Sequence, residues 1–277
     1  MSSSNFPFLR RCFVWACLAG GFLACTTPAP RDDLTSPLDF QLPEGDELRM
    51  SIQEIDDGRL TARATFSVKR LAPRPLPGTG ERVSWFETGS NHEPVDDAPL
   101  RFTGFSFQRV DAEGEVSLGY RTTEINGRAI DDLMMLDPPY IDLKAPLTLG
   151  SRWEFQARRW VSRPKSEEVM FLFRKTVQAK ELSVVVPAGR YERCIRVVTE
   201  GVSERTFSIS CGGASRERHI LKDFYVYYCP GAGNVREYFY ERYGDPGRPD
   251  PACPTVQEQS RVTAHLRAPA PDAPRPQ

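Results

Sequence analysis

The thiol and imidazole side chains are the residues of this sequence best suited to covalent chemistry, and they are few. The chain has seven cysteines and three histidines in 277 residues. Cys211 lies next to two glycines and shortly before His219, and a thiolate beside an imidazole serves as a catalytic nucleophile in several enzyme classes. The Gly-x-Ser-x-Gly segment of many hydrolases is absent from the sequence. We expect Cys211 to form a disulfide, and we predict no catalytic residue and no enzymatic activity.

A cation site is the second chemistry that the sequence suggests. Asn91, His92 and Glu93 are followed by Asp96 and Asp97, so oxygen and imidazole ligands lie close together. Their spacing is neither that of an EF-hand loop nor that of a zinc-binding helix, and a solvated loop between strands explains them. The late cysteines are too far apart for a zinc finger. We therefore predict no metal site and no cofactor.

Aromatic and arginine side chains suggest a third chemistry, that of a binding surface. Eight Phe and Tyr residues lie within residues 224–243. Side chains alternate between the two faces of a strand, so Arg236, Tyr238, Tyr240 and Arg242 share one face. Such a face can stack on a sugar, a lipid headgroup or the backbone of a partner. The alternative is that the rings only pack across a strand pair, beneath a tail or a neighbouring strand.

The first 24 residues predict a secretory signal peptide. Arg10 and Arg11 precede an apolar stretch that runs from residue 12 to residue 24 and is followed by Cys25. This stretch is shorter than the about 20 residues that a helix needs to cross a bilayer. We interpret residues 1–24 as a processed segment rather than a membrane span.

The segment FLAC at residues 22–25 resembles the lipobox of bacterial lipoproteins, although the motif usually has Leu where this chain has Phe22. The resemblance implies that Cys25 is acylated, with palmitate among the attached chains, and becomes the first mature residue. Thr26 replaces the Asp of inner-membrane lipoproteins, which implies the outer membrane. Residues 25–44 are Pro-rich and predict a tether between the lipid anchor and the folded domain.

Export to an oxidising compartment makes the remaining thiols candidates for disulfides. Loss of the signal peptide and acylation of residue 25 leave Cys194, Cys211, Cys229 and Cys253. Four cysteines allow three connectivities, and their spacing does not choose among them. We favour Cys194 with Cys211 and Cys229 with Cys253, because Cys253 lies in a Pro-rich tail that would otherwise have nothing to hold it.

The elements that must position these residues are predicted to be strands, because apolar and polar residues alternate along the chain. Residues 60–69 and 48–52 alternate strictly on either side of a turn at residues 56–58, which predicts a hairpin. Asn126-Gly127 is a two-residue turn signal, and residues 128–136 alone predict a helical turn. We therefore predict an all-β fold: a large curved antiparallel sheet, sandwich or open barrel with at most one short helix.

The predicted β domain covers residues 45–243 as a single unit. Residues 244–277 form a Pro-rich tail that we predict to be mostly disordered. Within that tail, residues 256–268 are either a last edge strand or loose chain.

Three segments in the second half of the chain carry a further resemblance. They are LTLGSRW at residues 147–153, VPAGRY at residues 186–191 and YVYYCPGAGNV at residues 225–235. Their order resembles an uncharacterised family of β-rich bacterial envelope lipoproteins, over roughly residues 145–243. The resemblance implies a long, curved antiparallel sheet in the cell envelope and brings no enzymatic activity with it.

Charge and composition narrow the function. The 36 basic and 37 acidic residues nearly balance and no basic run occurs, so we expect no nucleic-acid partner. We interpret the chain as a lipid-anchored outer-membrane lipoprotein, a non-enzymatic structural or binding component of an envelope assembly with a protein partner. The alternative is a carrier that holds a lipid or other hydrophobic ligand in its curved sheet. A carrier needs an apolar concave face that its own side chains leave unfilled.

Overall fold

Antiparallel strands dominate the computed structural model of the protein. It describes residues 34–56, 58–161, 167–254 and 257–267. Within these ranges the one helical element is the 3-10 turn Pro37–Phe40, and no helix there is long enough to cross a bilayer. The all-β fold class predicted from the sequence is confirmed. The predicted signal peptide at residues 1–24, the predicted lipidation site Cys25 and residues 268–277 lie outside the described residues.

Thirteen strands of the described part of the chain join in one sheet. They are β1 (Glu47–Asp56), β2 (Arg59–Pro75), β3 (Arg82–Pro94), β4 (Leu100–Val110), β5 (Gly114–Ile125), β6 (Arg128–Lys144), β7 (Arg152–Val161), β8 (Glu167–Val186), β9 (Gly189–Cys211), β10 (Ala214–Cys229), β11 (Gly233–Asp245), β12 (Arg248–Pro249) and β13 (Gln257–Arg267). The predicted hairpin of β1 and β2 is confirmed, with Met50 opposite Phe66. Asn126 and Gly127 make the turn into β6 with φ of 50° and 79°, as an Asn-Gly hairpin requires.

The strand order gives the sheet two arms that are joined by β13. One arm runs from β1 to β6, the other runs from β11 back to β7, and β13 pairs with both β1 and β11. The edge strands β6 and β7 are consecutive in the chain and contact each other, so the sheet is nearly closed into a barrel. The Tyr140 ring of β6 lies 4.7 Å from the Phe155 ring of β7.

The main core fills the interior of the second arm. The rings of Phe155 and Phe171 flank the Phe173 ring, with ring centres 5.4 and 5.7 Å apart. Phe171 and Phe173 are fully buried, and Phe40 from the N-terminal 3-10 turn packs in the same cluster. The chain's own aromatic side chains therefore occupy this part of the interior.

The folded domain begins earlier than the sequence predicts. The sequence predicts a tether over residues 25–44, but the Thr35 carbonyl accepts a backbone hydrogen bond from the Leu147 N–H at 2.8 Å. The Ser36 hydroxyl caps the 3-10 turn, and Phe40 is buried. Phe40 and Leu42 are buried, and the free energy gained by burying their apolar area outweighs the preference of a Pro-rich segment for an extended, solvated chain.

Residues 128–136, which the sequence predicts as a helical turn, form the first half of strand β6. Leu133 pairs with Arg121 on β5. The prolines at 138–139 are tolerated because an edge strand has N–H groups that no neighbouring strand requires. The helix prediction was wrong because strand pairing outweighs local helix propensity.

The disulfides join Cys194 to Cys229 and Cys211 to Cys253, so the pairing that we favoured from the sequence is wrong. Cys194 and Cys211 lie on the same strand, β9, and an extended strand separates them by about 3.3 Å per residue. The pairing of β10 with β9 brings Cys229 beside Cys194 instead. Cys253 does hold the Pro-rich segment, but to the end of β9.

The C-terminal boundary of the domain also differs from the prediction at residue 243. Strand β13 lies between β1 and β11, so it is neither an edge strand nor loose chain. Thr263 is fully buried, and its hydroxyl donates to the Val235 carbonyl at 2.9 Å. Local composition did not indicate this placement because β1, one of the two partners of β13, is distant in sequence.

Candidate functional site

The four residues predicted as a binding face lie on β11, on the side opposite the core. They are half-buried, whereas the residues that alternate with them are buried. Two tyrosines of β10 lie on the same side, with Tyr225 opposite Tyr238 and Tyr227 opposite Arg236. We call this surface the tyrosine face; its members are Tyr225, Tyr227, Arg236, Tyr238, Tyr240 and Arg242.

Charged contacts hold the two arginines of the tyrosine face. Arg242 forms an ion pair with Asp223, and its guanidinium carbon lies 5.5 Å from the centre of the Tyr240 ring. Arg236 donates to the Val185 carbonyl at the end of β8. Both guanidinium groups are thereby fixed in orientation, and the charge of Arg242 is compensated.

An open pocket of about 340 Å³ lies over the tyrosine face. It is lined by Tyr225, Tyr227, Tyr238, Tyr240 and Arg242. The rings of Tyr225 and Tyr240 meet edge to face, with centres 6.1 Å apart at 84°. The structure thus brings three of the four predicted residues together, adds two tyrosines of β10 that the sequence did not indicate, and leaves Arg236 outside the lining. Such a pocket can stack on an apolar group and hydrogen-bond to its polar edge.

A buried polar cluster that the sequence did not indicate lies inside the sheet. The Gln41 amide donates to the Glu115 carboxylate at 2.7 Å, and the Ser117 hydroxyl donates to the Asp142 carboxylate at 2.6 Å. The Lys175 ammonium lies 3.0 Å from the Asp142 carbonyl oxygen and 3.8 Å from its carboxylate. Strands β5, β6 and β8 and the segment after the 3-10 turn all contribute to this cluster.

Burial raises the pKa of Glu115 to about 7. The Asp142 carboxylate adds to this rise, whereas the hydrogen bond from Gln41 and the charges of Lys175 and Arg70 oppose it. Glu115 is 8% exposed, so water solvates little of its charge. This carboxyl group therefore changes its protonation state near neutral pH.

The alternation of inward and outward residues along β8 and β11 would have identified two buried charged residues, Lys175 and Glu241. Val169, Phe171 and Phe173 are inward positions on β8, and the next residue of the same parity is Lys175. Glu241 has the same relationship to Phe239 on β11. A charge that alternates in phase with core residues is predicted to be buried and paired.

The other candidates from the sequence have structural contacts. Cys211 is in a disulfide, and the His219 Nδ1 atom lies 2.9 Å from the Ser203 carbonyl oxygen. The His92 Nε2 atom lies 3.1 Å from the Glu54 carboxylate. Among the residues that the structure describes, no group of three or more His, Cys, Asp or Glu is arranged to hold a metal ion.

Comparison with known proteins identified similar folds at low sequence identity. No protein-family model and no curated protein matches the chain. A Bacteroides fragilis structure, described as an exported protein with a YmcC-like fold, is 13% identical with a TM-score of 0.43, covering 83% of this chain and 99% of that one. A Parabacteroides distasonis structure, described as a lipoprotein, is 13% identical with a TM-score of 0.39, covering 85% and 100%. These similarities are too low to transfer a function.

Proposed function

We propose that the protein is a lipid-anchored lipoprotein of the bacterial cell envelope, held at the outer membrane by acylated Cys25. In this proposal it is a non-enzymatic structural or binding component of an envelope assembly. The signal-like residues 1–24 and the lipobox-like residues 22–25 support export and acylation. The two disulfides support folding in an oxidising compartment.

One observation supports a component that binds through its outer surface: side chains fill the interior of the second arm, and the tyrosine face lies outside. Phe40, Phe171 and Phe173 occupy the interior of the second arm. A diacyl lipid would have to displace this core, at about 3–5 kcal/mol for each large side chain removed from its packing. A partner that docks on the tyrosine face displaces only water.

The chemistry of the tyrosine face favours a protein partner. Tyrosine rings and guanidinium groups are the side chains that contribute most often to the energy of protein interfaces. Asp223 neutralises Arg242, so this end of the face presents rings and hydroxyls rather than a strong charge. We expect the partner to place an apolar side chain in the pocket and to accept hydrogen bonds at its rim.

Site-specific photo-crosslinking in intact cells tests this function. A photoreactive phenylalanine analogue replaces Tyr238, and the matched control replaces Tyr120, an exposed tyrosine on β5 outside the face. We expect a discrete crosslinked protein from position 238 and none from position 120. Adding Tyr225→Ala and Tyr240→Ala should weaken the crosslink at least several-fold. Equal crosslinking from both positions, or none from position 238, would contradict a role for this face.

The carrier function is the second candidate, and one observation favours it. A cavity of about 240 Å³ remains inside the sheet, lined by residues of β1 to β6, the segment around Phe40, the hairpin of β10 and β11, and Arg261 of β13. Native mass spectrometry of the chain that follows Cys25, expressed without detergent, separates the two functions. A co-purifying lipid supports the carrier, and an apo mass supports the surface-binding component.

A further inference from the structure

The interior cavity has two walls of different chemistry. Its apolar wall consists of Leu48, Met50, Phe66, Val68 and Phe86 on β1, β2 and β3. Its polar wall includes the carboxylates Glu115 and Asp142 together with Gln108, Asn234 and Arg261. The space between them suits a small molecule with one polar end and one apolar end.

Two carboxylates, those of Glu115 and Asp142, supply hydrogen-bond acceptors on the polar wall. The Glu115 carboxylate receives its hydrogen bond from Gln41. The Asn234 amide nitrogen donates to Glu237 at 2.9 Å, and the buried Asn234 Oδ1 atom has no hydrogen-bond partner among the described residues. Because a buried carboxylate is unfavourable without a charged donor, Glu115 calls for a ligand that donates hydrogen bonds.

Three charged groups act on Glu115: Asp142 on β6, Lys175 on β8 and Arg70 on β2. Tyr228 on β10 interacts with Glu115 and with Glu237 on β11, and Arg261 on β13 lines the same cavity. The Lys175 ammonium contacts Asp142, and the Arg70 guanidinium donates to the Leu42 carbonyl at 2.8 Å. The Arg261 guanidinium lies 3.9 Å from Glu237. Within the described ranges, no cation is at ion-pair distance from Glu115, so its charge lacks a direct partner.

We propose that this cavity binds a small amphipathic ammonium compound. The ammonium group donates hydrogen bonds to the Glu115 carboxylate, and a short alkyl chain packs against Met50 and Phe66. The site is distinct from the tyrosine face, and the ligand is small enough to leave the aromatic core in place.

Protonation of Glu115 links this binding to pH. Burial raises its pKa to about 7, and a bound cation stabilises the ionised form. Below pH 7 the carboxyl group must release its proton when the ammonium binds, whereas above pH 7 it is already ionised. Binding should therefore be about tenfold weaker at pH 6 than at pH 8.

Isothermal titration calorimetry with n-hexylammonium tests the proposal, with n-hexanol as the neutral probe of the same length. The protein is the complete chain that follows Cys25, measured at pH 6 and pH 8 in buffers of different ionisation enthalpy. Glu115→Gln removes the carboxylate, and Met50→Trp fills the apolar wall. Thermal unfolding of both variants shows whether they remain folded.

The proposal predicts that hexylammonium binds at least tenfold more tightly than hexanol at pH 8. It also predicts release of close to one proton per ligand at pH 6, a pH dependence that Glu115→Gln abolishes, and loss of binding in Met50→Trp. Equal binding of hexanol, pH-independent binding by the unmodified chain, or no binding of hexylammonium would overturn it. If Glu115→Gln fails to fold, two measurements on the unmodified chain still test the proposal: the comparison of hexylammonium with hexanol, and the proton release at pH 6.

Discussion

Lys222 and Glu241 lie directly opposite each other on β10 and β11 and form an ion pair inside the sheet, with side chains that are 6% and 3% exposed. Burial lowers the pKa of Lys222, and the Glu241 carboxylate partly opposes this effect. The Lys222 ammonium also lies 5.5 Å from the Phe171 ring and 5.3 Å from the Phe239 ring. The core of the second arm therefore contains a charge pair surrounded by aromatic rings.

Breaking this pair should destabilise the fold strongly. Glu241→Ala or Lys222→Ala leaves one buried charge without a partner, and we expect each to lower the free energy of unfolding by about 3–5 kcal/mol. The double variant Lys222→Met with Glu241→Leu should stay within about 1–2 kcal/mol of the original, because no charge is left behind. Urea unfolding followed by circular dichroism measures all three.

The exposed pair of Arg174 and Glu154 provides the matched control for that series. It also joins two neighbouring strands, but both side chains are more than half exposed. Arg174→Ala should therefore cost less than about 1 kcal/mol. Equal losses of unfolding free energy for Arg174→Ala and Lys222→Ala would contradict the prediction that burial makes the pair of Lys222 and Glu241 the more costly one to break.

The disulfide connectivity leads to a chemical prediction. Proteolysis without reduction should release one peptide pair linked through Cys194 and Cys229, and another linked through Cys211 and Cys253. The bonds enclose sequence separations of 35 and 42 residues, so each should stabilise the fold by about 4 kcal/mol on the loop-entropy model. Reduction should accordingly lower the melting temperature substantially. A peptide that links Cys194 to Cys211 would contradict the register of β9 and β10.

The position of β13 predicts opposite results for two truncations. Removal of residues 257–277 exposes the edges of β1 and β11 to solvent and removes the buried Thr263, so we expect loss of the cooperative thermal transition. Removal of residues 268–277 leaves the paired strand intact and should change the melting temperature by less than a few degrees. Equal stability of both truncated chains would show that β13 contributes little to the sheet.

The free energy of unfolding should fall as the pH rises, because the pKa of Glu115 is higher in the folded protein than in the unfolded chain. Its pKa rises from 4.5 to about 7 on folding, so between these values the folded state keeps a proton that the unfolded state releases. The stabilisation is complete below pH 4.5 and is lost as the pH rises to about 7. Relative to Glu115→Gln, the free energy of unfolding should fall by up to about 3 kcal/mol over this range. A constant difference between the two proteins would contradict the assigned pKa.

Local patterns predicted what local physics determines. Alternation identified the hairpin of β1 and β2, and Asn126-Gly127 identified a turn, because side-chain period and positive φ are properties of short segments. The place of β13 depends on pairing with β1, twelve strands earlier in the chain, so composition did not indicate it. Residues 128–136 form a strand instead of a helical turn because pairing with β5 outweighs their local helix propensity.

For the candidate sites too, the sequence indicated residues that lie close together on one strand and did not indicate residues that distant strands bring together. Alternation placed Tyr238, Tyr240 and Arg242 on one face, whereas Tyr225 and Tyr227 joined them only once the register of β10 and β11 was known. The cluster around Glu115 gathers residues from distant strands, and no short pattern contains it.

Metabolic labelling with a clickable palmitate analogue in the native host tests the central claim most directly. The original chain and Cys25→Ala are isolated and compared for label and for membrane association. The account predicts that the original chain carries the label and sediments with the outer membrane, and that Cys25→Ala is unlabelled and released. Absence of label from the original chain, or equal labelling of Cys25→Ala, would contradict the assignment as a lipid-anchored envelope protein.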